Sequence, residues 1–450
     1  MDKLLALVCF VLSLGIVIAT FPDGNVAILV AISCSVVVVG LIRVFRREES
    51  VFLTRLFLFS LFARLIFGTI THIFKYRDIL SGDSTTFSTA GKRLMESWFG
   101  LYDATGDRFL ERFSTDVGWG MTYLVAGIYS VTGPDILSAQ FFCAVIGAAT
   151  VPIVYVCVKK IFGNHRASLT SALLIGFYPA FVIWTSQLLK DGLIVFFLVL
   201  AVSMILSLRE KFKFSSAVIL IASLFAIMSL RFYIFYMIAA AMVGAFVVGV
   251  GESNQSIVRN LVILAVLGLG LTSFGAIGEA GSDIAEYGSL ERLQRTRQGA
   301  SRAGSGFGQD LDVSTAEGAI LAIPIGFVYV MFAPFPWQLA SSQYLVTLPD
   351  MILWWLSIPF LIMGLSFSIK KNLGNSLAIL IFSMMLTLAY SLFQGNIGTA
   401  YRHRIQIQVF LFMFVGVGWT LFQERRENKK ALRGAEKQRF DKKFGNRQYV

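Results

Sequence analysis

Uninterrupted apolar runs of 17 residues or more recur along this 450-residue chain. A helix needs about 17–25 such residues to cross the hydrocarbon of a bilayer. Each run must therefore satisfy its own backbone, and in lipid the helix is the single-segment solution. Candidate spans are 4–20, 26–43, 55–74, 137–158, 168–184, 192–208, 214–229, 232–250, 258–275, 350–369, 376–392 and 405–422. Two further apolar segments, 119–132 and 317–334, are ambiguous. Charged residues make up 15% of the sequence, against about 25% in soluble domains, which excludes a soluble enzyme. The expectation is an all-α polytopic membrane protein forming one bundle over residues 1–422, with a basic tail at 423–450.

Charge orients the bundle. Short loops rich in Lys and Arg face the cytoplasm, and here they are Arg43/Arg46/Arg47, Lys159/Lys160/Arg166, Arg209/Lys211/Lys213, Arg259, Lys370/Lys371 and the tail. All six face one side only if the two ambiguous segments do not cross. That gives about twelve transmembrane helices, both termini cytoplasmic, and two re-entrant or interfacial pieces marked by Gly118, Gly120, Gly127 and Gly133, and by Pro324 and Pro334. Irregular backbone at membrane depth needs protein or a wet cavity around it, so the outer face is expected to hold a cavity. The tail from Gln423 carries ten Lys/Arg against four Asp/Glu, half of the chain's net +12. Following a span directly, it reads as a cytoplasmic or anionic-lipid contact rather than a nucleic-acid site. Cys9, Cys34, Cys143 and Cys157 all lie in apolar runs without disulfide or zinc spacing and read as packing residues. The N-terminal run lacks a small-residue cleavage site and reads as a retained first span. No internal repeat is evident.

On this topology the chemistry belongs to the outer loops, 75–118 and 276–316, and to three short connections. In the first, apolar Phe87, Gly91, Leu94, Met95 and Trp98 follow Asp83 at helical spacing, predicting an amphipathic helix that begins at Asp83. Asp83 either caps that helix, as Asp before Ser-Thr-Thr does, or holds a carboxylate at membrane depth where the helix macrodipole favours an anion. Lys190 and Asp191 either pair with one another or form a site, because ionisable groups at membrane depth are functional by default. Arg231, beside Phe232 and Tyr233, either snorkels to headgroups or grips one phosphate. The run Gly395 to Arg404 brings Arg402, His403 and Arg404 to the mouth of the last span, a density of donors suited to a phosphate leaving group. The Gly-rich loop 276–316, with Arg292, Arg295, Arg297 and Arg302, reads as a solvated lid without a catalytic role. Arg64 is expected to face the bundle, and His72 to be a satisfied interface histidine. No Walker-type or dinucleotide-binding glycine pattern occurs in the cytoplasmic loops, and Gly268, Gly270 and Gly275 read as helix packing.

Over residues 55–250 these features stand in an order that resembles the GT-C class of membrane glycosyltransferases, including protein O-mannosyltransferases and aminoarabinose transferases: an early span, Gly82-Asp83-Ser84 with its helix, the Tyr123–Gly133 segment, a span with a basic end, then Pro179 leading to Ser186, Lys190 and Asp191. The resemblance implies a sugar moved from a polyprenyl-phosphate donor to a glycan, lipid or protein acceptor hydroxyl, with Asp83 as general base and inversion at the anomeric carbon. It implies Lys190, Asp191, Arg231, Tyr233, Arg402, His403 and Arg404 as substrate contacts. A divalent metal, held by Asp83 and Asp191 if at all, is the one cofactor it admits, since some members bind one and others do not. Where many members have an Asp-Glu pair, this chain has Asp83-Ser84. A bacterial inner-membrane enzyme of cell-surface polysaccharide or glycolipid synthesis is expected. Two alternatives are an O-antigen or exopolysaccharide polymerase or ligase, in which Arg402, His403 and Arg404 would dominate, and a lipid-linked glycan flippase.

Overall fold

The structure is a computed structural model that describes residues 3–76, 82–115, 118–248, 289–302, 304–338 and 347–444. The expected span 258–275, with Arg259, Gly268, Gly270 and Gly275, lies outside the described residues. Among the described residues the chain is helical, with no strand beyond a single antiparallel bridge between Gly306 and Asn396. In chain order the helices are α1 (Lys3–Ala19), α2 (Asp23–Phe45), α3 (Ser50–Ile73), α4 (Asp83–Trp98), α5 (Arg108–Ser114), α6 (Gly120–Thr132), α7 (Ile136–Phe162), α8 (His165–Phe177), α9 (Pro179–Thr185), α10 (Lys190–Glu210), α11 (Phe214–Leu230) and α12 (Phe232–Val248). Then follow α13 (Leu290–Ser301), α14 (Ala316–Phe332), α15 (Leu348–Lys371), α16 (Leu373–Phe393) and α17 (Ile397–Phe444).

Seven of these, α2, α3, α7, α10, α15, α16 and α17, are long and apolar enough to cross a membrane, and the bent pair α8/α9 makes an eighth. The protein is an integral membrane protein. Length and composition thus mark seven or eight spans among the described residues, against twelve expected. The irregular backbone anticipated for 119–132 and 317–334 is not found. Both are continuous helices, α6 and α14, and α14 carries Pro324 internally. A proline removes one hydrogen bond from one turn, and neighbouring helices in a bundle compensate for that loss; α14 packs along α16 and α17.

Helix α7 is the hub. Ala139, Ala144, Gly147, Ala148 and Ala149 keep its surface low, so α2, α3, α8 and α10 can all lie against it, the small-residue packing that replaces a hydrophobic driving force in lipid. A second seam joins α15 to α17 at Gly364 and Gly418. A Cβ on Gly364 would come within 1.9 Å of the Phe414 carbonyl oxygen, and one on Gly418 within 1.8 Å of that of Phe360. These backbones touch because neither residue has a side chain. The last helix runs on without a break through the basic tail, where Glu427 pairs with Arg166 and Glu424 accepts from Asn164.

The expected span 168–184 is broken. The residue before Pro179 is driven out of the helical region, and α8 and α9 meet at 53°. The carbonyls freed at the break are met by Arg64, which is fully buried on α3. Its guanidinium donates to the carbonyls of Ile175 (3.1 Å) and Gly176 (3.0 Å), to Thr185 Oγ1 (2.7 Å), and to Ser60 Oγ (2.6 Å) and its carbonyl (3.0 Å). As expected, Arg64 faces the bundle. His72 lies 3.7 Å from Asp23, an interface contact between α3 and α2.

Beyond α4 the connection is organised by Asp107, which caps α5 by accepting from the amides of Phe109 and Leu110. Its other oxygen takes the Tyr102 hydroxyl (2.6 Å) and Arg93 (2.9 Å). The Tyr102 hydrogen bond first, then the Leu110 amide and Arg93, hold this carboxyl down to about 2. A depressed carboxyl contributes stability that is complete above the unfolded value of about 4 and is lost as pH falls through the folded one. Limited proteolysis of residues 100–115 should therefore stay slow at neutral pH and accelerate as pH drops from about 4 toward 2; Tyr102→Phe should move that onset upward. Replacing Arg64 with Met leaves buried carbonyls without donors, at a cost of about 2–4 kcal/mol. Thermal unfolding in detergent should show a clear drop in midpoint, whereas an unchanged midpoint would mean that the break between α8 and α9 holds itself.

Candidate active site

Asp83 opens α4, whose buried face is Phe87, Ala90, Gly91, Leu94 and Met95, close to the stripe read from the sequence; Trp98 is half exposed. That face lies on α6, and Ser88 meets the Tyr129 hydroxyl across the seam at 2.7 Å. Gly82, not Asp83, occupies the N-cap position. The Asp83 carboxylate instead accepts from Arg402 Nη1 at 2.5 Å and is 53% exposed. It is anchored at one oxygen and open to solvent.

Asp191, in the first turn of α10, has no exposed surface. It does not pair with its neighbour Lys190. Arg402 Nε donates to Oδ2 (2.5 Å), while Arg231 Nη2 (3.1 Å) and Gln406 Nε2 (3.2 Å) donate to Oδ1. One guanidinium therefore bridges Asp83 and Asp191 through two different nitrogens, a geometry that lysine cannot reproduce. Lys190 sits alongside, its Nζ 5.5 Å from the centre of the Phe87 ring. Gly118, at φ +93°, lets it in: a Cβ there would stand 2.9 Å from that Nζ. Lys190, Arg231 and Arg402 face two carboxylates, so the cluster keeps one surplus positive charge. The plane of Arg402 also lies over Trp184, 5.9 Å from its centroid.

His403 is half-buried between Arg231 Nη2 (2.8 Å from Nε2) and the Gln394 side-chain amide (2.6 Å from Nδ1), with Tyr390 stacked on its ring at 5.4 Å. A guanidinium only donates, so Nε2 must accept. Nδ1 then carries the proton, which turns the Gln394 amide so that its oxygen faces the ring. The free lone pair of His403 is thus already used. Tyr390 donates to Gln406 Oε1 at 2.5 Å, while the Tyr233 hydroxyl stands 3.5 Å from Arg231 Nη1, at the outer limit of a hydrogen bond. Tyr233 packs on Phe393 and Tyr390 instead.

Of the residues singled out from the sequence, Asp83, Lys190, Asp191, Arg231, Arg402 and His403 converge, and Tyr233 flanks them. Arg404 does not join. It is buried on the far side of α17, donating to the carbonyls of Val330 (2.6 Å) and Ala333 and touching Met351 Sδ, and so closes the end of α14. The reason is helical: α17 begins at Ile397, not at 405, and residues two apart on a helix point to nearly opposite sides. Positions 402, 403 and 406 share a face, which is why Gln406 belongs to the site.

The lid reading of 276–316 also changes where that loop is described. Arg297 on α13 is buried and donates to the carbonyls of Leu392 (3.0 Å) and Gln394 (2.8 Å). The Phe307 amide reaches the Gly395 carbonyl, and the Ile397 amide that of Ser305. This part of the loop is docked on the α16–α17 turn that carries Gln394, because buried carbonyls at a helix end need a donor.

As arranged, the two acids do not offer a divalent-cation site. Both are engaged by the same guanidinium, and among the described residues no group of three His, Cys, Asp or Glu comes together.

A family model described as dolichyl-phosphate-mannose-protein mannosyltransferase matches residues 116–276, about a third of the chain. That stretch contains Lys190, Asp191 and Arg231 but neither Asp83 nor Arg402. Among solved structures the chain is similar to the oligosaccharyltransferase of Archaeoglobus fulgidus. For its apo form the TM-score is 0.45 at 14% identity, over 84% of this chain and 52% of that one. For AglB in complex with an inhibitory peptide and a dolichol-phosphate it is 0.41 at 16% identity, over 71% and 44%. The chain thus spans about half the length of these structures. No curated protein matches. The resemblance to GT-C membrane glycosyltransferases is borne out by the family model.

The two acids should respond differently to neutralisation. Asp191→Asn strips buried Arg231 of its counter-ion and leaves Arg402 with half-exposed Asp83 alone, and breaking a buried pair costs about 3–5 kcal/mol. Asp83→Asn loosens a half-exposed pair worth about 1 kcal/mol or less. Unfolding midpoints in detergent should fall steeply for the first and barely move for the second; equal losses would contradict this division.

Proposed function

We propose that this protein is a glycosyltransferase that moves a sugar from a polyprenyl-phosphate donor to an acceptor hydroxyl at the outer face of the membrane. The observation that carries the reading is the convergence, from four separate connections of the chain, of one open carboxylate and three cations. The donor's lipid lies among the helices and its phosphate at the cationic end of the site. Asp83 removes the acceptor proton as the acceptor oxygen attacks the anomeric carbon. The bond from that carbon to the phosphate breaks, and the lipid phosphate leaves with the electron pair, balanced by Lys190, Arg231 and Arg402. A single displacement inverts the anomeric centre. Asp191 has no open oxygen face, so it positions Arg402 and Arg231 and takes no proton.

The shared guanidinium gives the reaction an order. Arg402 holds one oxygen of Asp83 in the structure described, and that oxygen is not free to take the acceptor proton. A donor phosphate arriving at Arg402 competes with Asp83 for Nη1, while Nε stays on buried Asp191. Donor binding thereby frees the base, so the acceptor is activated only when a donor is present.

With the short Lys- and Arg-rich connections on the cytoplasmic side, we assign both termini to the cytoplasm and the site to the outer face. We place the enzyme in a bacterial inner membrane, in cell-surface polysaccharide or glycolipid synthesis, as one bundle over 1–422 whose basic tail 423–450 faces the cytosol. The polymerase or ligase reading needs a reactive imidazole. His403, with both ring nitrogens engaged, speaks against it.

Asp83→Asn, expressed at normal levels, should lower transfer by about 10²-fold or more while raising affinity for polyprenyl phosphate several-fold, because Arg402 loses its competitor. Arg402→Gln should lower both. Full transfer by the Asn variant refutes Asp83 as the base. Unchanged or weaker lipid-phosphate binding by that variant, measured by titration in nanodiscs, refutes the exchange at Arg402 and leaves the base assignment standing.

A further inference from the structure

Away from the active site, α1, α2 and α3 enclose a space that their own side chains leave unfilled. Helices α2 and α3 each lie along α7 more closely than along one another, and α1 crosses over both. A slot of about 470 Å³ runs between them, walled by Cys9 and Leu12 of α1, Val36 and Val39 of α2, and Leu58 and Phe62 of α3. On α2 its lining positions extend from Ile28 to Arg43, a rise of roughly 22 Å. The hydrocarbon core of a bilayer is about 30 Å thick, so the slot takes a chain the depth of one leaflet. An empty apolar slot of this size forfeits the dispersion contacts of its whole lining, and in a membrane the molecules at hand to fill it are acyl chains.

Charge selects among them. The polar lining is concentrated at one mouth of the slot, where Arg43, Ser50, Thr54 and Arg55 stand together. Arg46 and Arg47 follow in the turn. The segment 43–55 holds four arginines against Glu48 and Glu49, and Glu49 is committed to Lys159 (2.6 Å) and Tyr155 (3.1 Å). The mouth therefore presents two arginines, Arg43 and Arg55, beside two hydroxyls, which suits a phosphate carrying net negative charge. We infer that the slot between α1, α2 and α3 is a binding site for one anionic phospholipid, an acyl chain lying along α2 and the headgroup at Arg43 and Arg55. It is separate from the donor site and does not rest on the transfer reaction.

The test uses the full chain purified in mild detergent and equilibrated with equal amounts of phosphatidylglycerol and phosphatidylcholine, with native mass spectrometry as the readout. One retained phospholipid is expected, phosphatidylglycerol being preferred by about tenfold on the strength of two arginines at a lipid surface. Arg43→Gln with Arg55→Gln should bring the preference close to equality. Gly40 lines the slot, and a Cβ there meets nothing within 4 Å, so Gly40→Phe starts its ring into the slot without a clash at Cβ and should abolish retention of both lipids. Absence of retained phospholipid in the unaltered protein, equal retention of the two headgroups, retention of polyprenyl phosphate in their place, or indifference to Gly40→Phe would each overturn the proposal.

Discussion

A carboxylate with no exposed surface has to be met inside the protein, because moving an unpaired charge out of water costs more than any fold can spare. Asp191 is that group here, and the site is built around meeting it. Arg231 comes from the turn between α11 and α12, Arg402 and Gln406 from one face of α17, and their three donors converge on its two oxygens. Each of these elements is fixed in rotation by the need to reach Asp191. The open carboxylate of Asp83 is then placed by the second nitrogen of the same guanidinium. A lysine at 402 would have to meet both acids from a single nitrogen, whereas the guanidinium reaches each from a separate one.

The membrane imposes the complementary constraint on the backbone. Wherever a helix ends within the bundle its carbonyls need donors, and among the described residues arginines serve the purpose three times: Arg64 at the break between α8 and α9, Arg404 at the end of α14, and Arg297 at the end of α16. Guanidinium suits this role because it offers five donors in a plane. The buried arginines thus divide into two kinds, those facing carboxylates and those facing carbonyls, and only the first kind bears on the chemistry. Arg402 and Arg404, two residues apart, belong to different kinds.

Arg297 also connects the outer loop to the site. It donates to the Gln394 carbonyl, and the side chain of Gln394 fixes the ring of His403, which in turn lies against Arg231. The imidazole serves here as a rigid spacer between loop and cluster, a role consistent with its stacking on Tyr390.

The apolar runs by themselves determined that this is a helical membrane protein, because in lipid no other single-segment structure satisfies its backbone. Helical periodicity also gave α4 and its start near Asp83, and the placement of ionisable residues in the outer connections singled out Asp83, Lys190, Asp191, Arg231 and Arg402, since charge at membrane depth is rarely idle. Tertiary structure alone decided what each charge faces. Whether Asp83 caps or pairs, whether Lys190 and Asp191 meet, and which of Arg402 and Arg404 enters the site depend on helix rotation and on where α17 begins, and a polar run before a span hides its first turns from a hydropathy reading. The docking of Arg297 was hidden because a buried donor answers carbonyls far away in the chain, and nothing in its own neighbourhood shows which ones.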